Sequence, residues 1–78
     1  MNTMNKKNYL ADSTVNSIVK IEKITAGQKA RRFLADLGVL EGVKLRVIKN
    51  DLGPILIEVK ATRVAIGRGI ATKIEVTG

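Results

Sequence analysis

The chain of 78 residues contains no cysteine, no histidine and no tryptophan, and only one proline, one tyrosine and one phenylalanine. Without cysteine there is neither a disulfide framework nor a thiolate metal site, which fits a reducing cytosol. High-affinity ferrous iron sites usually combine imidazole with carboxylate, so a chain without histidine can offer only weak oxygen sites. No cluster of acidic residues is visible in the sequence. We therefore predict no metal site and no cofactor.

The same absences argue against catalysis. A serine or threonine nucleophile would need lysine as its base, and no such pairing stands out. Acid–base chemistry on paired carboxylates needs two acids in opposed environments. The acids of the central and C-terminal parts are spread singly over the chain: Glu22, Asp36, Glu41, Asp51, Glu58 and Glu75. We predict that the protein is not an enzyme.

Charge is the main compositional signal. Fourteen lysines and arginines against seven acids give a net charge of +7. This balance favours nucleic acid, anionic lipid or an acidic protein as a partner. Binders of single-stranded nucleic acid usually add aromatic side chains on which bases stack, and this chain has few. No apolar run approaches the roughly 18 residues of a membrane span, and no signal-peptide core is present at the N-terminus.

The clearest local pattern predicts a helix over about residues 26–37. Thr25 and Gln28 fit a capping box at its start. Gly38 stands where a left-handed residue ends a helix, with Val39 closing on Leu34, and Gly42 marks a second turn. One apolar stripe at helical spacing is predicted to face the core: Ala30, Phe33, Leu34 and Leu37.

Alternating apolar residues predict five short strands, over residues 17–24, 43–49, 55–60, 63–66 and 73–77. The first strand changes parity, which indicates a bulge or a barrel corner. Residues 50–54 have turn composition and predict a hairpin. Its register would place Val47 opposite Ile57, Arg46 opposite Glu58, and Ile48 opposite Leu56 on the outer face.

These elements predict a mainly β domain over residues 16–78, preceded by a flexible tail over residues 1–15, in which Tyr9 and Leu10 could touch the domain. Asn16 tolerates the left-handed conformation that the first turn needs. We expect a small five-stranded barrel, because closure removes the sheet edges. One α-helix would lie between strands 1 and 2, and a short 3₁₀ turn over residues 67–72 before the last strand.

Three segments resemble the ferrous iron transport protein A (FeoA) family. They are Arg32 followed by LADLGVLEG (residues 34–42), VAI (residues 64–66) and ATKIEV (residues 71–76). The resemblance covers about residues 16–76. It implies an SH3-like barrel, related in shape to the C-terminal domain of metal-dependent repressors. The family usually has arginine at the positions of Phe33 and Gly67. In this chain, Arg32 and Arg68 stand one residue away from those positions.

The resemblance also implies a function. Such proteins are small cytoplasmic accessory proteins of bacterial ferrous iron uptake, which bind the cytoplasmic GTP-binding part of the membrane transporter. The inner face of the cell membrane, with its anionic lipid, is a second expected location. The resemblance implies transition-metal binding only as a property of the family, not of particular residues in this chain. The alternative function is a nucleic-acid-binding SH3-like barrel, or a free-standing relative of the repressor domain, whose affinity would fall steeply with salt.

Contact with a partner is expected through apolar and basic side chains on a monomer. Leu40, in the turn after the helix, is the leading candidate. The alternative for the basic helix residues is an ordinary solvated face, and for the Gly-Arg-Gly segment at residues 67–69 a plain turn. The other candidates are Lys29, Arg31, Arg32, Ile48, Leu56 and Arg68.

Overall fold

The computed structural model describes residues 7–78, which form one antiparallel sheet of six strands with two helices. The strands are β1 Asn8–Tyr9, β2 Ile18–Ile24, β3 Lys44–Lys49, β4 Ile55–Val59, β5 Thr62–Ile66 and β6 Ile74–Thr77. Helix α1, Gln28–Asp36, connects β2 to β3, and helix α2, Arg68–Ala71, connects β5 to β6. The strand order is β1-β6-β2-β3-β4-β5. The sheet therefore has one strand more than predicted, and its edges are β1 and β5.

Strand β2 hydrogen-bonds to neighbours on both of its edges. Its first residues pair with β3, with Val19 opposite Leu45, and its last residues pair with β6, with Ile24 opposite Ile74. The register shifts between Ile21 and Lys23, which confirms the predicted bulge. Because a bulge adds one residue to the alternation, Ile21 and Ile24 are both buried although three positions separate them. Ile18, at the start of the strand, is exposed.

The hairpin of β3 and β4 has the predicted register only in its inner part. Arg46 lies opposite Glu58, and Val47 lies opposite Ile57. A register shift after Val47 then brings Lys49 opposite Leu56, so the predicted pairing of Ile48 with Leu56 is wrong. The physical reason is that Ile48 is the extra residue of the irregularity, which offsets it from its expected partner.

Helix α1 begins without a capping box, contrary to the prediction. Gly27 is the N-cap, and no side chain caps the helix. The Thr25 hydroxyl donates instead to the carbonyl oxygen of Lys73 at 2.9 Å, and the Thr25 N–H donates to the same oxygen at 2.8 Å. Thr25 therefore extends the contact of β2 with the β6 side of the sheet.

The end of helix α1 is as predicted. Gly38 has φ +87°, its N–H donates to Ala35 O at 3.0 Å, and the Val39 N–H donates to Leu34 O at 2.9 Å. These two hydrogen bonds define a Schellman motif, which glycine enters without a steric penalty. Leu34 and Val39 are both buried. The chain therefore turns sharply at a position fixed by a local glycine.

The N-terminal segment belongs to the fold, which corrects the prediction of a flexible tail over residues 1–15. Strand β1 pairs with β6, with Asn8 opposite Val76 and Tyr9 opposite Glu75. A 3₁₀ turn, Leu10–Asp12, follows and buries Leu10 completely. Asn16 then adopts φ 74°, as its residue type predicts. The part of the predicted tail at residues 1–6 lies outside the described residues.

The core of the described residues is entirely apolar. The inward positions predicted for the last three strands are buried, including Val64, Ile66, Ile74 and Val76. The predicted 3₁₀ turn over residues 67–72 is instead the short α-helix α2, whose Ala71 N–H donates to Gly67 O at 2.9 Å. No helix within residues 7–78 is both long enough and apolar enough to cross a membrane.

Replacement of Leu10 by alanine tests whether the N-terminal segment stabilises the domain. Because Leu10 is fully buried, Leu10→Ala should lower the free energy of unfolding by about 2–5 kcal/mol in urea denaturation. The matched control is Leu52→Ala, since Leu52 is 98% exposed and its loss should change stability by less than about 0.5 kcal/mol. Equal midpoints for the two variants would contradict the structural role of the segment.

Candidate partner-binding surface

Leu40 lies exposed in a turn that is firmly attached to the sheet. Its side chain is 45% exposed. Gly38 and Gly42, which flank the turn, have φ +87° and +90°. The Gly42 N–H donates to Ile21 O at 2.7 Å, and the Val43 N–H donates to Leu40 O at 3.1 Å. The turn therefore presents an apolar side chain in a defined position, as expected of a contact residue on a rigid element.

A charged pair links this turn to helix α1 and strand β2. Glu41 Oε2 accepts a hydrogen bond from the Ile24 N–H at 3.2 Å and lies 3.6 Å from Arg31 Nη1. The same Arg31 nitrogen donates to Ile24 O. Both side chains are almost half exposed, so the ion pair itself contributes little stability. The hydrogen bonds of both side chains to the backbone of Ile24 connect the helix and the turn to the end of β2. With Leu40, Arg31 and Glu41 line a shallow cleft.

Phe33 was predicted to lie in the core, but its side chain is 52% exposed. An α-helix turns about 100° per residue, so Phe33 lies about 100° from the fully buried Leu34, at the margin of the inward face. Leu34 already fills the core position together with half-buried Ala30 and Leu37. Phe33 therefore faces a groove on the helix surface, which it lines with Gln28, Lys29, Arg32 and Asp36.

Lys29 and Arg32 lie on the same flank of helix α1 as Phe33, whereas Arg31 lies on the opposite flank with Leu40. The basic helix residues that the sequence grouped together are thus divided between two surfaces. The sequence predicted a longer helix with a wider inward face, whereas α1 has nine residues and Leu34 is its one fully buried position.

Arg68, predicted as a partner contact, forms an internal cluster with the β3–β4 loop. Its Nη2 donates to Asn50 Oδ1 at 2.8 Å, to Gly53 O at 3.0 Å and to Asp51 O. Its Nη1 lies 3.4 Å from Ala11 O as a weaker donor contact. These acceptors engage both terminal nitrogens of the guanidinium group, whereas its buried Nε has no hydrogen-bond partner among residues 7–78. Arg68 therefore links α2, the hairpin loop and the N-terminal segment.

Asn50 completes this cluster. Its side-chain nitrogen donates to Ser13 O at 2.8 Å and to Ala11 O at 3.1 Å. One amide side chain therefore connects the hairpin loop to the 3₁₀ turn. The sequence identified Asn50 only as a turn residue, because its partners lie 37 and 39 positions away.

The apolar patch predicted on the hairpin is not assembled as expected. Ile48 and Leu56 are half-buried and offset in register, and both belong to strands rather than to a free surface. Leu52, at the loop tip, is the most exposed large apolar side chain of residues 7–78. Of the residues predicted to contact a partner, Leu40 is thus the most exposed apolar one.

Residues 7–78 contain no group of three or more acidic, histidine or cysteine side chains placed to hold a metal ion. Glu41, the acid nearest to Leu40, is already engaged by Arg31 and the Ile24 N–H. The surface around Leu40 can therefore offer apolar contact and charge, which are the means of protein association.

Comparison with known proteins gives consistent matches over most of the chain. A family model for the FeoA domain matches residues 9–78. The "Putative Fe(2+) transport protein A" of Methanocaldococcus jannaschii is 47% identical over 58 residues, which cover 74% of this chain and 71% of that protein.

Two solved structures are similar in fold. A crystal structure of an iron uptake regulatory protein (FeoA) has a TM-score of 0.82 and 29% identity, covering 92% of this chain and 96% of that one. A manganese-dependent transcriptional repressor has a TM-score of 0.85 and 20% identity, covering 97% of this chain and 44% of that one. The second likeness concerns the fold alone. Together they support the predicted SH3-like fold, with six strands in place of five and α1 between the second and third.

Conservative replacement of Arg68 tests whether its side chain stabilises the contacts of α2 with the hairpin loop and the N-terminal segment. Arg68→Lys keeps the charge but loses the planar fork that reaches several acceptors at once. We expect the free energy of unfolding to fall by about 1–3 kcal/mol in urea denaturation, with faster amide exchange in residues 50–53. Arg63→Lys, at an exposed strand position, should leave both quantities unchanged. Wild-type stability and exchange in Arg68→Lys would show that the cluster is dispensable.

Proposed function

This chain belongs to the FeoA domain family, and we propose that it is a small accessory protein of ferrous iron uptake that binds the cytoplasmic GTP-binding part of a membrane ferrous iron transporter. The observation that carries the proposal is the family match over residues 9–78, with the 47% identity to the "Putative Fe(2+) transport protein A" of Methanocaldococcus jannaschii. The family is not a known enzyme family. The function is therefore one of association, located in the cytoplasm at the transporter.

The turn that contains Leu40 is the contact we propose for this association. Leu40 combines exposure with a fixed backbone, because Gly38, Gly42 and the Arg31–Glu41 pair hold the turn from three sides. A side chain that is already in its bound position loses little conformational freedom on binding. An apolar side chain in such a position is suited to enter a pocket on the partner.

The charge of the chain supports an acidic partner. A net charge of +7 raises the rate of encounter with a negatively charged protein surface. The same charge would attract nucleic acid, but among residues 7–78 Phe33 is the one aromatic side chain that is exposed. A single aromatic residue gives no row of stacking platforms for a strand. We therefore favour the protein partner over the nucleic-acid alternative.

The direct test is an amide-shift titration of the isotopically labelled protein with the soluble cytoplasmic region of the ferrous iron transporter from the same organism, at physiological salt. Shifts confined to the turn around Leu40 and the adjoining elements would support the proposal. If that region caused no shifts while a short oligonucleotide caused salt-sensitive shifts of lysines and arginines, the protein-accessory function would be wrong and the nucleic-acid function favoured.

Leu40→Ala provides the quantitative prediction. Removal of an anchor side chain should raise the Kd for the transporter region by about tenfold, measured by calorimetry. Val15→Ala is the control, since Val15 is 43% exposed and lies in a different turn. Because both side chains are exposed, both variants should keep the wild-type unfolding midpoint. Equal affinities of the two variants would place the interface away from Leu40.

A further inference from the structure

The flank of helix α1 opposite to Leu40 carries a second set of exposed side chains. We propose that this flank, formed by Phe33, Lys29 and Arg32 and called here the Phe33 flank, docks an acidic segment of the partner protein. The inference deepens the proposed function and rests on it, because the partner is the same transporter region. The sequence already named Lys29 and Arg32 as candidate contacts, and the structure adds Phe33 to them and separates this flank from the surface around Leu40.

The order of side chains around the helix supports this inference. At about 100° per residue, Lys29 lies some 40° beyond Phe33 on the side away from the core, and Arg32 about 100° beyond it. The flank therefore changes from buried Leu34 to exposed Phe33 and then to two cations. A partner segment lying along it would cover the aromatic ring and bring its acidic groups to the lysine and the arginine.

Within residues 7–78, the structure shows no contact by which Lys29 or Arg32 stabilises the fold. Arg31 contacts Glu41 and Ile24, and Arg68 is bound to the hairpin loop. Among residues 7–78, by contrast, no ion pair or side-chain hydrogen bond involves Lys29 or Arg32, and residues 1–6 contain no acid that could supply an ion pair. Cations in the first half of a helix also oppose its dipole. Helix stability thus does not account for them.

The chemistry of the flank favours an acidic protein segment over other polyanions. Phenylalanine and arginine are both among the residue types enriched at protein interfaces. Helix α1 has nine residues and its inward face is occupied by the core, so one large apolar side chain would enter a lipid surface. A single ring is likewise too little for base stacking. Asp36 also lines the groove and reduces the charge of the flank, which makes it a useful probe.

Charge reversal on the flank is the decisive experiment. The variant Lys29→Glu/Arg32→Glu should raise the Kd for the transporter region at least tenfold in calorimetry at physiological salt. An acid at position 29 lies in the first turn of α1, where it is favourable, and position 32 is exposed, so the variant should fold normally. The matched control is Lys20→Glu/Lys44→Glu, which changes the net charge equally at two paired, exposed strand positions and should alter the Kd less than about threefold.

Two single substitutions give the inference further independent readouts. Phe33→Ala should weaken binding about tenfold without lowering the unfolding midpoint, because the ring is half exposed. Asp36→Asn removes the carboxylate of the flank and should strengthen binding to an acidic segment. Weaker binding of Asp36→Asn, or an equal loss in both charge-reversal variants, would overturn the inference.

The outcomes separate this inference from the proposed function. If the wild-type protein binds the transporter region and Leu40→Ala weakens binding, but Phe33→Ala and Lys29→Glu/Arg32→Glu bind as the wild type does, the Phe33 flank is not an interface and the proposed function stands. If the wild-type protein does not bind at all, both fail. Binding of phosphatidylglycerol vesicles or of an oligonucleotide in place of the transporter region, lost in the same variants, would also overturn the inference.

Discussion

The pairing of strand β2 on both of its edges is the constraint on which the rest of the structure depends. Lys20 takes part in the pairing with β3 and in that with β6, so one strand joins the hairpin half of the sheet to the terminal half. The bulge after Ile21 allows side chains on both sides of it to enter one core. The segment that contains helix α1 begins at the end of β2, where Thr25 contacts Lys73 next to β6. It ends beside β2 again at Gly42, whose N–H donates to Ile21 O.

Features that depend on neighbouring residues could be predicted from the sequence. The helix end at Gly38 follows from the conformational freedom of glycine, and its two hydrogen bonds join residues at most five positions apart. The strand faces of β3 to β6 follow from strict alternation of apolar residues. The bulge in β2 could be predicted because its apolar residues switch from odd to even positions along the strand. Such residues can face one core only if the strand contains an extra residue or bends.

Features that depend on distant residues could not be predicted in the same way. Thr25 was expected to cap helix α1, but the N-cap is Gly27 and the Thr25 hydroxyl donates to the carbonyl oxygen of Lys73, 48 positions away. In the sequence, Leu10 lies in a segment of polar composition that predicts a tail. In the structure, Asn8 and Tyr9 pair with β6, which is distant in the sequence. Arg68 was expected to contact a partner, but it donates to oxygens of this chain that lie 15 to 57 positions away. Ile48 does not pair with Leu56 because the register of the hairpin shifts by one residue at that position.

The structure also changes what the positive charge of the chain means. Arg31 and Arg68 donate to backbone carbonyls near the Leu40 turn and in the hairpin loop, so these two cations are engaged within the fold itself. Lys29 and Arg32 face outward beside Phe33. A basic composition alone would suggest an undirected attraction to any polyanion, which salt would screen. In this structure Arg31 lies beside Leu40, and Lys29 and Arg32 lie beside Phe33. This arrangement of cations next to exposed apolar side chains favours surfaces with a defined shape, which the recognition of one protein partner requires.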